Sequence, residues 1–186
     1  MKKLILTAAA VFAFGFINAQ DMKFGAKGGL NFATVSELEE AKNKIGFNIG
    51  VFAEIGVSDG FAIQPELLFS LQGANGPNDS SLNLNYINIP VMAKFKVAEG
   101  FSLQAGPQFG ILMSATNKFG GNSIDTKENF KTLDLGLNFG AGYDISENIM
   151  VDLRYNLGLG GLVKDLPDGA KDSNNRVIAL SVGYKF

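Results

Sequence analysis

Apolar residues occupy every second position over the 14 residues TLDLGLNFGAGYDI, from Thr132 to Ile145. The positions between them hold glycine, asparagine and aspartate. A period of two is typical of a β-strand, because successive side chains point to opposite faces of a sheet. Strands of soluble proteins have about 5–6 residues. At about 3.3 Å per residue and a tilt of about 45°, this strand would rise about 33 Å, close to the roughly 30 Å hydrocarbon thickness of a bilayer.

The same alternation returns along the whole chain and predicts eight strands. Three connections between them, at 58–60, 98–100 and 146–148, are short, and each contains a Gly or Asn able to adopt a positive φ. The other four, near 34–44, 73–84, 116–130 and 162–175, are long and polar. Short turns at one end and long loops at the other are typical of an antiparallel up-and-down transmembrane β-barrel. The predicted strands are Met22–Ala33, Ile45–Val57, Phe61–Gln72, Asn85–Val97, Phe101–Ala115, Thr132–Ile145, Ile149–Gly161 and Arg176–Phe186.

The sizes of the two faces predict which one lies inside the barrel. In a soluble barrel the apolar face lines the interior, whereas in a membrane barrel it faces lipid. Eight strands enclose a lumen just wide enough for side chains, and the apolar face is too bulky for it. We therefore expect the small, polar face to line the lumen. Pro65 and Pro107 lie on the apolar face, where each removes a backbone donor and predicts a bulge or local weak pairing.

The first 19 residues have the pattern of a cleavable signal peptide. Lys2 and Lys3 precede the 14-residue apolar run Leu4–Ile17, and Ala19 supplies a small residue before the expected cut. A membrane-anchoring helix would need about 20 apolar residues. The sequence thus predicts a signal peptide over 1–19 and an all-β barrel domain over 20–186.

Composition argues against several classes of chemistry. The chain contains no Cys and no His, which removes thiolate ligands, disulfides and the usual general base. Without that base, we interpret Ser102 and Ser181 as ordinary small residues facing the lumen. The net charge of −2 gives no basic field for nucleic acid. We therefore expect no enzyme activity, no cofactor and no nucleic-acid partner.

Six charged residues fall on the predicted inner face at similar heights above the tight turns. Opposite charges there would pair, since an unpaired buried charge is very costly. We therefore expect a self-compensating plug that leaves no wide aqueous pore. The alternative is that the six side chains are separately hydrated in a narrow wet lumen. This charge belt comprises Lys27, Glu54, Glu66, Lys94, Asp152 and Arg154.

The last long loop offers a weak candidate metal site. Asp165, Asp168 and Asp172 could hold Ca²⁺, but they lack the spacing of an EF-hand. The alternative is a solvated acidic loop.

The leader, eight amphipathic strands, three tight turns, four long loops and the ending Tyr184-Lys185-Phe186 resemble the small outer-membrane β-barrel family, in particular its PorT-like branch. The resemblance implies a monomeric integral protein of the Gram-negative outer membrane, exported through the periplasm and surrounded by lipid. It also implies that the barrel-assembly machinery reads Phe186 as its signal.

The family includes adhesins, stabilisers, narrow channels and a few enzymes, so the fold alone does not give the function. The leading hypothesis is a structural or surface-interaction role, with an external loop ligand that the sequence does not identify. The alternatives are a narrow porin-like channel for ions or small solutes, and an accessory of protein secretion, which the PorT resemblance suggests.

Overall fold

The computed structural model describes residues 22–36, 42–78, 80–164 and 172–186. Within these ranges the chain is almost entirely β-structure, with one short 3-10 helix, Lys127–Asn129. No helix in the described ranges is long and apolar enough to span a membrane. The strands are β1 (Met22–Val35), β2 (Lys42–Ser58), β3 (Phe61–Asn75), β4 (Ser81–Ala98), β5 (Phe101–Phe119), β6 (Asn122–Asp125), β7 (Leu133–Asp144), β8 (Ile149–Gly158) and β9 (Asn175–Lys185).

Eight of these strands close into an antiparallel barrel. Neighbours around the ring run β4-β3-β2-β1-β9-β8-β7-β5, and β5 pairs again with β4 to complete it. The first and last strands form one continuous seam, from Gly25 paired with Lys185 to Val35 paired with Asn175. The predicted eight-stranded barrel is confirmed. The predicted signal peptide, 1–19, lies outside the described residues.

The outer wall is hydrocarbon and the inner wall is mainly polar. Phe139 and Leu153 are about half exposed on the outside (49% and 53%), whereas Gln64 and Glu66 on the inside are 0% and 3% exposed. This polarity is the reverse of a soluble barrel and matches the expectation from the volume of the lumen. The inward-facing polar side chains are therefore shielded from bulk water by the barrel itself.

Both prolines interrupt the pairing without shifting it. Between β2 and β3 the ladder runs from Phe52–Glu66 to Ile55–Ile63 with no pairs between them, next to Pro65. A similar gap lies next to Pro107, between β4 and β5. The register is the same on both sides of each gap. A proline cannot donate to the ladder, so the expected weak pairing is present, but neither proline forms a bulge.

Several predicted boundaries were wrong at the loop end. β4 begins at Ser81 and β5 continues to Phe119, where the sequence predicted loops, and the two remain paired out to Ser81–Lys118. β6, which was not predicted, folds back on the end of β5. β8 ends at Gly158 rather than Gly161. The predictions tracked the lipid-facing alternation, whereas backbone pairing continues past it.

Only one of the three tight turns uses a positive φ. Gly100 has φ 70°, while the corresponding Gly60 and Asn148 do not enter that region. Asn78, in the long β3–β4 connection, does so with φ 52°.

An apolar cluster fills the inside of the barrel at its loop end. Tyr86, Leu84 and Leu112 form its centre, each about 1% exposed or less. Leu162 covers the centre, and the backbone of the nearby Lys131 donates to its carbonyl at 2.8 Å. The inner wall is thus polar along most of its length and apolar at the mouth. The loop-end cluster comprises Val35, Ala74, Leu84, Tyr86, Leu112, Ala115 and Leu162.

Candidate functional site

Arg154 and Glu66 join opposite walls of the barrel. Arg154 lies on β8 and Glu66 on β3, four strands apart in the eight-strand ring. Both point inward because they alternate with lipid-facing neighbours. The guanidinium Nη1 donates to Glu66 Oε2 at 2.9 Å, and Nη2 lies 2.8 Å from Oε1. This two-pronged geometry is the strongest form of an ion pair between side chains.

Lys27 and Asp152 join the same group and balance its charge. Lys27 Nζ lies 2.8 Å from Asp152 Oδ2 and 3.5 Å from Glu66 Oε2. Arg154 Nε lies 3.0 Å from Asp152 Oδ1. Two cations thus face two anions, and all four side chains are at most 6% exposed. We call Lys27, Glu66, Asp152 and Arg154 the central ion cluster.

Two glutamines extend this cluster sideways. Gln64 Nε2 donates to Glu66 Oε1 at 2.6 Å, and Arg154 Nη2 donates to Gln104 Oε1 at 2.8 Å. Buried ions are tolerated only where such hydrogen bonds replace hydration. The central ion cluster is therefore held by neighbouring amides as well as by its own charges.

The other two charge-belt residues form a separate group nearer the tight turns. Lys94 Nζ donates to Glu54 Oε2 at 2.5 Å. Lys185 Nζ lies 3.4 Å from the same oxygen and 2.9 Å from Asp144 Oδ1. We call Glu54, Lys94, Asp144 and Lys185 the turn-end ion cluster. It borders a pocket of about 320 Å³ that opens between the tight turns.

Sequence reasoning left Lys185 and Asp144 out of the charge belt, although the signal was available. Lys185 alternates with Tyr184 and Phe186, and Asp144 alternates with Tyr143 and Ile145. Both therefore face inward by the same rule that placed the other six. The predicted single belt is in fact two neutral clusters at different heights.

Above the central ion cluster, amides and hydroxyls replace charges. Asn48 Nδ2 donates to Asn31 Oδ1 at 2.7 Å, and Ser181 Oγ donates to Asn48 Oδ1 at 3.1 Å. Asn31 Nδ2 reaches Ser70 Oγ at 2.9 Å. The void in this part of the lumen is about 40 Å³, which leaves room for only a few water molecules.

At the mouth, a second link crosses the lumen. Asn175 on β9 donates from Nδ2 to the hydroxyl of Tyr86 on β4 at 3.3 Å, again between opposite walls. The same amide lies 3.1 Å from Asp134 Oδ2. Tyr86 thereby connects the polar lumen to the loop-end cluster.

Of the three aspartates of the candidate metal site, Asp165 and Asp168 lie outside the described residues. The carboxylate of Asp172 is engaged by Lys131 Nζ at 3.0 Å and by the backbone N–H of Ser173 at 2.9 Å. Desolvation tends to raise the pKa of Asp172, but the hydrogen bond from Lys131, together with those from backbone N–H groups, holds the pKa below its usual range. The cation site stays a prediction.

The remaining candidate residues occupy ordinary structural positions. Ser102 Oγ lies 3.4 Å from the carbonyl of Gly142, and Ser181 contacts Asn48 as described above. Phe186 is exposed on the outside next to Tyr184, with ring centroids 5.8 Å apart, and its backbone donates to Phe24 at 2.8 Å. Its role as an assembly signal stays a prediction.

Comparison with known proteins points to one family and one fold. The model of a family described as outer membrane protein beta-barrel domain matches residues 18–164. No curated protein matches the chain.

Two solved structures share the fold at low sequence identity. Ail, the attachment invasion locus protein of Yersinia pestis, solved in complex with the heparin analogue sucrose octasulfate, is 18% identical; the match covers 90% of this chain and 100% of Ail, with a TM-score of 0.54. Neisserial surface protein A is 16% identical; the match covers 89% of this chain and 97% of that chain, with a TM-score of 0.56.

Proposed function

The chain belongs to the outer membrane protein beta-barrel domain family and is an integral outer-membrane protein, and on this premise we propose that it is a sealed, non-conducting barrel with a structural or surface-interaction role. The observation that carries the proposal is the Arg154–Glu66 pair, which crosses the full width of the lumen. A solute passing through would have to break this pair within a low-dielectric interior, where separating charges is most costly.

Successive layers along the bore support the same proposal. From the tight turns to the mouth, these layers are the turn-end ion cluster, the central ion cluster, an amide layer and the loop-end cluster. The amide layer comprises Asn31, Asn48, Ser70 and Ser181. The void between the central ion cluster and the amide layer has a volume of only about 40 Å³. Each layer would have to move for a steady aqueous path to form.

The role left to a sealed barrel lies at its ends. In outer-membrane barrels the short turns face the periplasm and the longer loops face outward. Here the loop end carries the paired extensions of β4, from Ser81, and of β5, to Phe119, and the short β5–β6 hairpin that follows them. We infer that this end makes the external contacts of a monomeric protein and that no enzyme activity accompanies them.

Single-channel recording in planar bilayers tests the proposal. The mature protein, reconstituted from detergent, is expected to give no steady openings, and a known porin inserted in the same bilayer serves as the positive control. Long-lived, ohmic openings of the purified, heat-modifiable monomer would contradict a sealed lumen and favour the narrow channel instead.

Two further parts of the proposal have direct tests. Processing over 1–19 predicts a mature protein that begins at Gln20, which intact-mass measurement would detect.

Recognition of Phe186 by the assembly machinery predicts that Phe186→Ser reduces the folded, outer-membrane fraction in cells, while refolding into vesicles in vitro is retained. Equal folded fractions in cells for the wild type and Phe186→Ser would show that the assembly machinery does not depend on Phe186.

A further inference from the structure

A pocket of about 390 Å³ lies at the loop end of the barrel, beside the loop-end cluster. One wall is formed by residues 74–77 and 80–82 at the facing ends of β3 and β4, another by Asn117 near the end of β5, and a third by the segment around the 3-10 helix. Its volume lies in the range of small-molecule sites, about 300–1,000 Å³. We call it the mouth pocket; its lining residues are Ala74, Asn75, Gly76, Pro77, Ser80, Ser81, Leu82, Asn117, Thr126, Asn129 and Phe130.

The lining combines an apolar part with neutral polar groups. Leu82 and Phe130 also pack against the loop-end cluster, so they form a firm apolar surface. Six of the other lining residues carry amides or hydroxyls, and among the residues that the structure describes none of the lining side chains is charged. The pocket at the opposite end is different, because lysines, glutamates and an aspartate surround it.

This chemistry narrows the class of ligand. A charged ligand would lose hydration without gaining an opposite charge from the lining residues that the structure describes. A purely apolar ligand would cover amides and hydroxyls and leave them without partners. Amides and hydroxyls both donate and accept, so they suit a ligand whose edge carries several hydroxyls. The apolar surface of Leu82 and Phe130 suits a ligand with a C–H face.

We propose that the mouth pocket binds a neutral saccharide of mono- or disaccharide size. The ring's C–H face would lie on Leu82 and Phe130, and its hydroxyls would meet the amides of Asn117 and Asn129. This proposal rests on the surface-interaction role proposed above and names the ligand class of that role.

Backbone hydrogen bonds brace two walls of the mouth pocket in the absence of a ligand. In the β3–β4 connection, Gly76 N–H donates to Ser80 O at 2.9 Å, and Ser80 N–H donates to Pro77 O at 3.1 Å. Across the pocket, Thr126 N–H donates to Ala115 O at 2.9 Å, and Asn129 N–H donates to Thr126 O at 3.0 Å. A preformed wall lowers the ordering cost of binding.

Amide-resolved NMR of the ¹⁵N-labelled protein in lipid nanodiscs tests the proposal. The probes are sucrose, maltose and cellobiose, each titrated to about 50 mM, since weak saccharide sites have Kd values near the millimolar range. Sucrose octasulfate keeps the sucrose skeleton but is highly anionic, and it serves as the matched charged probe. Nanodiscs avoid maltoside detergents, whose headgroups would compete.

Two variants and a matched control locate the site. Asn117→Ala and Asn129→Ala each remove an exposed amide from the lining, and each is expected to weaken binding about threefold to tenfold. Asn122→Ala removes an equally exposed amide from β6, outside the pocket, and is expected to leave the affinity unchanged. The spectrum of each variant also reports whether it is folded.

Saturable shifts at Leu82, Asn117 and Asn129 with at least one neutral disaccharide, weakened by the two pocket variants, would establish the site. The absence of shifts with all three sugars would overturn it, as would binding of sucrose octasulfate alone, or equal affinities for all variants. Planar-bilayer conductance is measured independently, so a sealed barrel without saccharide binding is distinguishable from an unsealed one.

Discussion

The guanidinium of Arg154 binds both carboxylate oxygens of Glu66 from the opposite side of the barrel, at 2.8 and 2.9 Å. The two residues are 88 positions apart in the chain, so the pair forms only when β3 and β8 face each other across a closed ring. The pair therefore depends on closure of the barrel and stabilises the closed state in return.

Removing one partner of this pair is expected to destabilise the barrel strongly. Arg154→Met leaves the buried carboxylate of Glu66 with the more distant Lys27 as its cationic partner, and the free energy of unfolding should fall by about 3–5 kcal/mol. Glu66→Gln should have a comparable effect on Arg154. The double variant removes both charges and keeps Lys27 beside Asp152, so it should be closer to the wild type than the more damaging single variant.

Urea unfolding in lipid vesicles, followed by tyrosine fluorescence, measures these free energies, and the heat-modified gel shift gives a second readout. The control is Lys131→Ala, which breaks an exposed ion pair with Asp172 and should cost at most about 1 kcal/mol. A single variant at Arg154 as stable as the wild type would show that the charges are hydrated rather than paired.

The turn-end ion cluster is expected to be more tolerant. Lys185→Met leaves Glu54 paired with Lys94, and the adjoining pocket of about 320 Å³ admits water to Asp144. The expected loss is about 1–3 kcal/mol, smaller than for Arg154→Met in the same urea assay. A larger loss at Lys185 than at Arg154 would mean that the turn end, rather than the centre, holds the barrel together.

Much of this architecture follows from alternation alone. Any strand that faces lipid on one side and a narrow lumen on the other must alternate hydrocarbon with small or polar residues. That requirement gave the eight strands and placed Glu66 and Arg154 on the inner face. The same alternation places Lys185 and Asp144 on the inner face, but the predicted charge belt left them out because they lie at strand ends.

Other features could not be obtained from the pattern. The pairing of Arg154 with Glu66 rather than another acid depends on the stagger between strands, which a single sequence does not encode locally. Tyr86 and Leu112 were placed on the inner face, but the apolar cluster they form with Leu162 depends on how the segment directly after β8 packs at the mouth. The extension of β5 to Phe119 depends on pairing with β4 and β6.

Gly50 and Gly28 lie on neighbouring strands and should respond differently to alanine. A Cβ at Gly50 would clash with the carbonyl oxygen of Leu67, whereas a Cβ at Gly28 would lie 3.6 Å from its nearest neighbour, the carbonyl oxygen of Asn48. Gly50→Ala must therefore push β3 aside and is expected to cost about 1–3 kcal/mol. Gly28→Ala should stay within about 0.5 kcal/mol of the wild type. Equal unfolding midpoints for the two variants would contradict the close approach of the strands.

The loop-end cluster is expected to contribute as a true core. Leu112→Ala leaves a cavity among buried side chains and should cost about 2–5 kcal/mol, whereas Tyr86→Phe loses only the hydrogen bond from Asn175 and should cost about 1 kcal/mol. The control is Leu135→Ala on the outer wall, where lipid fills the space and the loss should be smaller. If Leu135→Ala proved the more costly, the mouth would be loosely packed.

The contact between Asp172 and Lys131 is expected to depend on pH only in strong acid. The folded-state pKa is lowered, so the stabilisation from its contact with Lys131 is fully present above the unfolded value of about 3.9 and is lost as pH falls through the folded value. The amide resonance of Ser173, which donates to the Asp172 carboxylate, should titrate with a midpoint below about 3.9. Asp172→Asn should abolish that titration. A midpoint above the unfolded value would mean that the folded state raises, rather than lowers, the pKa of Asp172.

Along the bore, ion pairs give way to amides and hydroxyls and then to hydrocarbon at the mouth, where the bond between Asn175 and Tyr86 joins the polar lumen to the loop-end cluster. The lipid-facing hydrocarbon of the outer wall holds the protein in its membrane, and the apolar cluster at the mouth supports whatever the loop end presents. Loop sequences could therefore diverge, or be exchanged by an engineer for display on a cell surface, while the barrel wall keeps its composition.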